Sequence, residues 1–267
     1  MPEKKSATPE EPQKLSWSYN PEETGKGKNG FSWGPHKLPL QFVFEGVSIV
    51  VEQSPGGLLY RREGEAGSAE KAILEEKGKL QFSPVEPFHT PSPLSAHLLI
   101  DLVRPVVLEP RAAKTVFVTF PIELAAAFSR RRAAGERILD IFSLNRAKFT
   151  LYGSIADGLI CKYWQSDIYK SAPQLNPLKE GVMELAMQNQ AAKWTEVKNV
   201  VFSAQAMKIF YSPHQVSLKG VMKIVSDTSA ETSFIDEPLH PGMNQALEQF
   251  SGRFLNLPAK TLMTEGH

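Results

Sequence analysis

Cysteine is nearly absent from this chain. Among 267 residues there is one, Cys161. No disulfide can form within the chain, and no zinc or iron–sulfur site built on several cysteines can be assembled. Cys161 lies in the apolar run Leu159-Ile160-Cys161-Lys162-Tyr163-Trp164, where a small buried hydrophobe is expected rather than a reactive thiol. An excess of charge of one sign is also missing. Lys plus Arg is 30 and Asp plus Glu is 29, a net charge of +1. A domain devoted to phosphate backbones is usually basic, so that class loses its ordinary signature. Long apolar runs are lacking too. The richest stretch, residues 115–128, is interrupted by Pro121 and Glu123. It falls short of the roughly 20 apolar residues that span a bilayer, so no transmembrane segment is expected. The opening Met1-Pro2-Glu3-Lys4-Lys5 leads into polar sequence without the apolar centre of a secretory signal. A cytoplasmic location is the expectation by default.

Catalytic and cofactor motifs are equally scarce. No GxSxG elbow and no GxxxxGK[ST] loop occurs. Six histidines, His36, His89, His97, His214, His240 and His267, show neither HxH nor HxxxH spacing, so no local metal motif exists and no metal or cofactor is expected. One GxGxxG match, Gly25, Gly27 and Gly30, lies in polar sequence with no strand before it and no helix after it. Both are needed to bring a phosphate to a helix N-terminus, so the run reads as flexible linker.

What is present is the material of strands and turns. The apolar share is 42% and the charged share 22%, enough for a packed core, with 20 Pro and 18 Gly to punctuate it. Residues 1–36 are polar and rich in Pro, Gly, Glu and Lys, and read as a flexible tail. Trp17, Tyr19, Phe31 and Trp33 are unusual in such a tail and suggest that part of it lies back on the domain. Residues 37–255 read as a β-sandwich domain, with residues 256–267 as a second tail. Residues 40–52 followed by Ser54-Pro55-Gly56-Gly57 and residues 58–62 form a hairpin pattern. Residues 63–78 are a loop or a short surface helix. Residues 79–82, 98–103, 106–108, 115–120, 139–144 and 148–152 are strand-like. Gly153-Ser154-Ile155-Ala156-Asp157-Gly158 then turns the chain into residues 159–164, a second hairpin. Residues 170–181 are a linker at which the domain divides or continues. Beyond it, Met183, Leu185 and Met187 share one face, and so do Val216, Leu218, Met222 and Ile224. Period two with one apolar face indicates antiparallel strands wet on one side.

Helical pattern appears twice. Residues 123–134 have high helix propensity with Gly135 as a C-cap, or else continue a strand into a basic loop. After Gly242, Met243, Ala246, Leu247, Phe250 and Phe254 recur at helical spacing and predict a short C-terminal helix. About a dozen strands without βαβ alternation give an antiparallel β-sandwich or open barrel.

Residues 104–124 and 138–169 carry a family likeness. Pro110, Phe120-Pro121-Ile122, Asp140-Ile141-Phe142-Ser143, Leu151-Tyr152-Gly153, Gly158 and Cys161-Lys162-Tyr163 resemble a prokaryotic, largely archaeal family catalogued as domain of unknown function 432. The likeness covers roughly residues 38–236 and implies no activity.

The candidate chemistry therefore rests on the residues alone. Of Asp101, Asp140, Asp157 and Asp167, Asp140 adjoins Ile141-Phe142 and is expected partly buried, paired with Arg137, Arg146 or Lys162. Arg130, Arg131 and Arg132 form the one dense basic run. Asp140, Tyr152, Lys162, Tyr163 and Trp164 form a candidate polar-aromatic face for a ligand. A binding or interaction module is the leading expectation, with a protein partner. One alternative is an enzyme whose site is assembled from Asp101, Asp140, Asp157, His97 or His214 on distant strands and loops. The other is a binder of single-stranded nucleic acid, which needs the arginine run and exposed rings on one face.

Overall fold

The structure, a computed structural model, describes residues 31–130, 136–204, 206–226, 229–249 and 260–262. The described residues form strands and loops without a helix. In chain order the strands are β1 (Gly34–Lys37), β2 (Leu40–Phe44), β3 (Val47–Ser54), β4 (Gly57–Glu63), β5 (Ala69–Ile73), β6 (Lys79–Val85), β7 (His97–Leu108), β8 (Ala113–Pro121), β9 (Glu123–Ser129) and β10 (Glu136–Phe142). They continue as β11 (Phe149–Tyr152), β12 (Leu159–Ser166), β13 (Glu180–Asn189), β14 (Thr195–Ser203), β15 (Phe210–Ser212), β16 (Gln215–Ser226), β17 (Ser229–Ile235), β18 (Asn244–Gln245) and β19 (Lys260–Leu262).

Four sheets result. Sheet I has the order β1-β6-β9-β10 and sheet II the order β2-β3-β4-β5. Sheet III is β11-β12-β7-β14, and sheet IV is β18-β15-β16-β13-β8 with β17 on β16 and β19 on β17. Most pairs are antiparallel, but β12 runs parallel to β7 and β13 parallel to β16. The alternation of Met183, Leu185 and Met187 does mark a buried face, and so does that of Val216, Leu218, Met222 and Ile224. It does not fix direction, because a parallel pair alternates in the same way.

Two cores correspond to two pairs of sheets. Leu98, Ile100 and Leu102 of β7 and Val197, Val200 and Phe202 of β14 share one cluster with Val118 and Phe120 of β8, Met183 and Leu185 of β13, and Leu218 and Met222 of β16. Sheets III and IV therefore bury their faces together. Phe44, Ile49, Val51, Leu58 and Tyr60 of sheet II share a second cluster with Leu80, Phe82, Leu124, Phe128 and Phe142 of sheet I. Phe31 and Trp33, within the stretch read as tail, belong to this packing; Trp33 packs against both clusters. Trp17 and Tyr19 lie outside the described residues.

Several sequence expectations are corrected. Residues 123–129 are strand, not helix: Ala125, Ala126 and Ala127 are fully buried, and β9 is paired with β6 on one side and β10 on the other. That pairing outweighs the helix propensity of alanine. No C-terminal helix forms in residues 243–249. Its amides are used elsewhere: Ala246 N–H donates to Ile209 O (2.9 Å) and Leu247 N–H to Ser83 Oγ (3.0 Å). Phe250 and Phe254 lie outside the described residues. The 40–52 run is two strands, with Glu45 and Gly46 at the turn, both at positive φ (48° and 77°), as a two-residue hairpin turn of the primed type requires. Within 63–78, where a loop or helix was expected, residues 69–73 pair with β4 as strand β5. β8 precedes the 170–181 linker and β13 begins within its last two residues, and the two strands are neighbours in one sheet. No helix among the described residues is long and apolar enough to cross a membrane.

Candidate functional site

The chain crosses between the two sheet pairs at Ile122. β8 of sheet IV ends at Pro121 and β9 of sheet I begins at Glu123, with the single residue Ile122 between them. Glu123 therefore stands at the joint of the two cores with no exposed surface. Its Oε1 accepts from Lys162 Nζ (2.8 Å), Thr90 Oγ1 (2.8 Å) and Thr90 N–H (3.1 Å). Its Oε2 accepts from His89 N–H (2.9 Å) and His89 Nδ1 (3.2 Å). His89 Nδ1 also faces Glu86 O at 3.0 Å. Both neighbours are acceptors, so Nδ1 carries the proton. Burial pushes the Glu123 carboxyl up, but the bonds from His89, Lys162 and Thr90 and the Lys162 charge outweigh it and hold it below its ordinary 4.5. Lys162, itself buried, completes a desolvated ion pair between β9 and β12. Glu123 was legible in the sequence as a lone carboxylate in the apolar run 115–128. It was read there as an interruption.

Asp140 is inside as well, for a local reason. A bulge in β10 between Ile138 and Asp140 breaks the alternation, so that Asp140 and Phe142 follow Leu139 toward sheet II. Asp140 Oδ2 accepts from Arg62 Nε at 2.6 Å and from Tyr60 Oη at 3.0 Å. Arg62 lies over the Phe142 ring, 4.8 Å from its centroid, and gives Nη1 to Gly67 O. The partner is Arg62 rather than the expected Arg137, Arg146 or Lys162, since the β3–β4 hairpin brings Arg62 to the inner face. Burial, then the Asp140 charge, pushes the Tyr60 hydroxyl well above its ordinary range.

The remaining candidates lie on β12 and its neighbour, and strand alternation separates them. Lys162 and Trp164 face inward. Trp164 packs against the III–IV core and donates Nε1–H to Thr119 Oγ1 (2.8 Å). Tyr163 faces outward with Cys161, and Tyr152 joins them from β11; the three pack around Leu99 and Val201. Tyr163 Oη donates to Asp101 Oδ2 at 2.6 Å, and that bond leads burial in pushing the Tyr163 hydroxyl up to about 12. Burial pushes the Cys161 thiol up to about 11, which leaves it protonated and inert at neutral pH, as expected of a small core residue.

The five residues thus fall in three places: Asp140 between sheets I and II, Lys162 and Trp164 on the inner face of sheet III, Tyr152 and Tyr163 on its outer face. Arg130 is paired with Glu75, and Arg131 and Arg132 lie outside the described residues. Asp157 and His214 are exposed in separate turns. Among the described residues no group of three or more His, Cys, Asp or Glu is set to hold a metal ion.

Sequence reasoning missed the most exposed feature of β12. The β11–β12 hairpin carries Phe149, Leu151, Ile155, Leu159 and Ile160, all exposed, with Ile155 at the tip 96% exposed. Gly153 turns the chain at φ +98°, and Gly158 N–H closes the loop onto Ser154 O (2.7 Å). A Cβ on Gly158 would stand 2.3 Å from that same oxygen. Ser95 Oγ donates to Ile160 O and ties the hairpin to the segment before β7. The signal was present in the sequence: residues 149–160 are apolar on both faces, more than one buried face needs.

Two predictions follow from the Glu123 joint. Lys162→Met leaves a buried carboxylate without its cation and should cost about 3 kcal/mol or more in urea unfolding at neutral pH. A cost below about 1 kcal/mol would mean that the pair is not desolvated in solution. The second concerns Glu86, which is buried close by and accepts the Gln249 amide. Burial pushes its carboxyl above the ordinary 4.5 despite the bonds from its own backbone and Gln249. A raised carboxyl weakens the fold as it ionises, so this penalty is full above the raised folded value and shrinks as pH falls toward 4.5. Glu123 acts with the opposite sign. Its contribution is present above 4.5 and is lost as pH falls through its lower folded value. Glu86→Gln should therefore be more stable than the parent at about pH 8, with the gap closing as pH falls through the raised range. A gap constant with pH would contradict this.

No curated protein and no solved structure matches the chain. The family described as "Protein of unknown function (DUF432)" matches residues 32–264, a span that takes in both cores, the Glu123 joint and the hairpin. The chain belongs to this family.

Proposed function

We propose that the protein is a binding module in which two β-sandwich layers hold the β11–β12 hairpin out as a docking surface. The shared cores of sheets I with II and III with IV support the sandwich reading. The observation that carries the docking reading is the run of exposed apolar side chains from Phe149 to Ile160 on one hairpin. Scattered apolar residues are normal on a surface, but Phe149, Leu151 and Ile160 gathered on one face of one hairpin mark an interaction site. The base is rigid, because Lys162 anchors β12 to Glu123 while Tyr163 anchors it to Asp101. A docking element on a firm scaffold binds with little ordering cost.

The enzyme reading draws little from these residues. Asp140 and Asp101 are each committed to partners within the fold. The nucleic-acid reading needs rings and arginines together, and Trp164 lies on the opposite face from Tyr152 and Tyr163. A lone cysteine, buried and without a disulfide, suits a reducing compartment, and we propose a cytoplasmic location.

A photo-crosslinking amino acid at Ile155 tests the docking reading, with Leu74, also exposed, as the control position. In the cell of origin, Ile155 should give discrete adducts that Leu74 does not, and Ile160→Asp should abolish them. Adducts equal at both positions, or unaffected by Ile160→Asp, would contradict it.

A further inference from the structure

The backbone of β11 shows what kind of partner the hairpin takes. β11 is the terminal strand of sheet III and, among the described residues, pairs only with β12. Tyr163 N–H donates to Lys148 O at 2.8 Å, and the register continues with Phe149 opposite Lys162, Thr150 opposite Cys161 and Leu151 opposite Ile160. In an antiparallel ladder, hydrogen-bonded and non-bonded pairs alternate. Lys148 is bonded to β12, so Thr150 and Tyr152 also turn their N–H and C=O groups toward it. Phe149 and Leu151 turn theirs outward, away from the sheet. Natural sheets usually protect such an edge with charge. Edge strand β5 carries Glu70 and Lys71, and edge strand β10 carries Glu136 and Arg137. β11 reads Phe149-Thr150-Leu151-Tyr152 and has no charge.

We infer that β11 pairs edge to edge, antiparallel, with β11 of a second copy of this chain, about a two-fold axis through Thr150. The inference rests on the hairpin being an interaction site and names its occupant. Centred on Thr150, the pairing sets Phe149 of one copy opposite Leu151 of the other, twice. Each such pair exchanges both outward N–H groups for both outward C=O groups. Directly opposed side chains share a face. Phe149 and Leu151 already share theirs with Ile160 across β12, so the apolar surfaces of the two copies become continuous. Charge agrees with this direction. An antiparallel run lays the hairpin tip of one copy, with Asp157, beside the base of the other, where Arg146 and Lys148 are exposed. A net charge of +1 sets no long-range repulsion against self-association. Shifting the register by one residue would present the committed groups of Thr150 instead, so the strand is complementary to itself in this arrangement.

The interface is short, so a weak dimer on the order of micromolar is expected. Sedimentation velocity of the full chain over a concentration series should show a monomer–dimer equilibrium. The Phe149 and Leu151 amides should gain hydrogen-exchange protection as concentration rises. Leu151→Pro removes an outward N–H without removing a hydrogen bond among the described residues. It should leave the unfolding midpoint nearly unchanged and raise the dissociation constant about tenfold or more. Leu151→Lys, which keeps the backbone donor but charges the edge, should act in the same direction and covers the case that proline disturbs the strand. Wild-type protein that stays monomeric throughout overturns the inference. So does a dimer indifferent to both substitutions. If the wild type is monomeric while Ile155 crosslinks a different protein, self-pairing falls and the docking reading stands; monomers that bind anionic lipid vesicles overturn self-pairing equally. If the wild type is monomeric and Ile155 crosslinks nothing, both fall.

Discussion

A carboxylate with no exposed surface needs a donor for each of its lone pairs, and the way Glu123 meets that need organises the molecule. Its donors come from the β6–β7 connection and from β12, and it sits where β8 passes into β9. The β6–β7 connection and the β8–β9 joint are two of the places where the chain leaves one sheet pair for the other. An unpartnered charge there would cost several kcal/mol, a large share of the stability of an ordinary fold. The loop from Glu86 to Thr90 and the strand from Leu159 to Ser166 are therefore set together or not at all. The packing of Trp33 against both cores adds an apolar contact across the same divide.

The joint bears on function through β12. Lys162 faces Glu123, Tyr163 faces Asp101, and Trp164 faces Thr119. Three successive side chains thus fix the strand from both sides. The other end of β12 and the strand β11 extend from this fixed base, with Phe149, Leu151, Leu159 and Ile160 exposed and, among the described residues, the outer edge of β11 without a pairing strand. An apolar edge held rigid is an aggregation hazard unless something pairs with it. Symmetric pairing in a single register satisfies the edge and closes it to further addition, which an open, unspecific edge would not.

Much of the fold could be read from residue pattern, and the failures have identifiable causes. The alternation over Met183 to Met187 and Val216 to Ile224 located the main core. Gly153 and Gly158 located the hairpin turn, and the family likeness was carried by segments that form β8, β10, β11 and β12. The 123–134 segment stayed ambiguous because alanine favours helix intrinsically, and only pairing on both sides makes its residues 123–129 strand, residues 131–134 lying outside the described residues. The C-terminal helix failed because its amides find acceptors on Ile209 and Ser83, contacts distant in sequence. The candidate face was gathered from residues near one another along the chain. Period two assigns Lys162 and Tyr163 to opposite sides, and a bulge no pattern announces sends Asp140 to a different core. Glu123 was hidden by its sequence neighbours: an acid in an apolar run looks like an interruption until its partners, 33 to 39 residues away, are in place.

Through the Glu123–Lys162 joint the two sheet pairs are expected to unfold as one cooperative unit. Native-state hydrogen exchange tests it directly, by comparing the slowest amides of β3 and β6 with those of β7 and β13. A common opening free energy is expected for both groups in the parent protein, and two separate values in Lys162→Met. Two distinct values in the parent, or a common value unmoved by Lys162→Met, would contradict it.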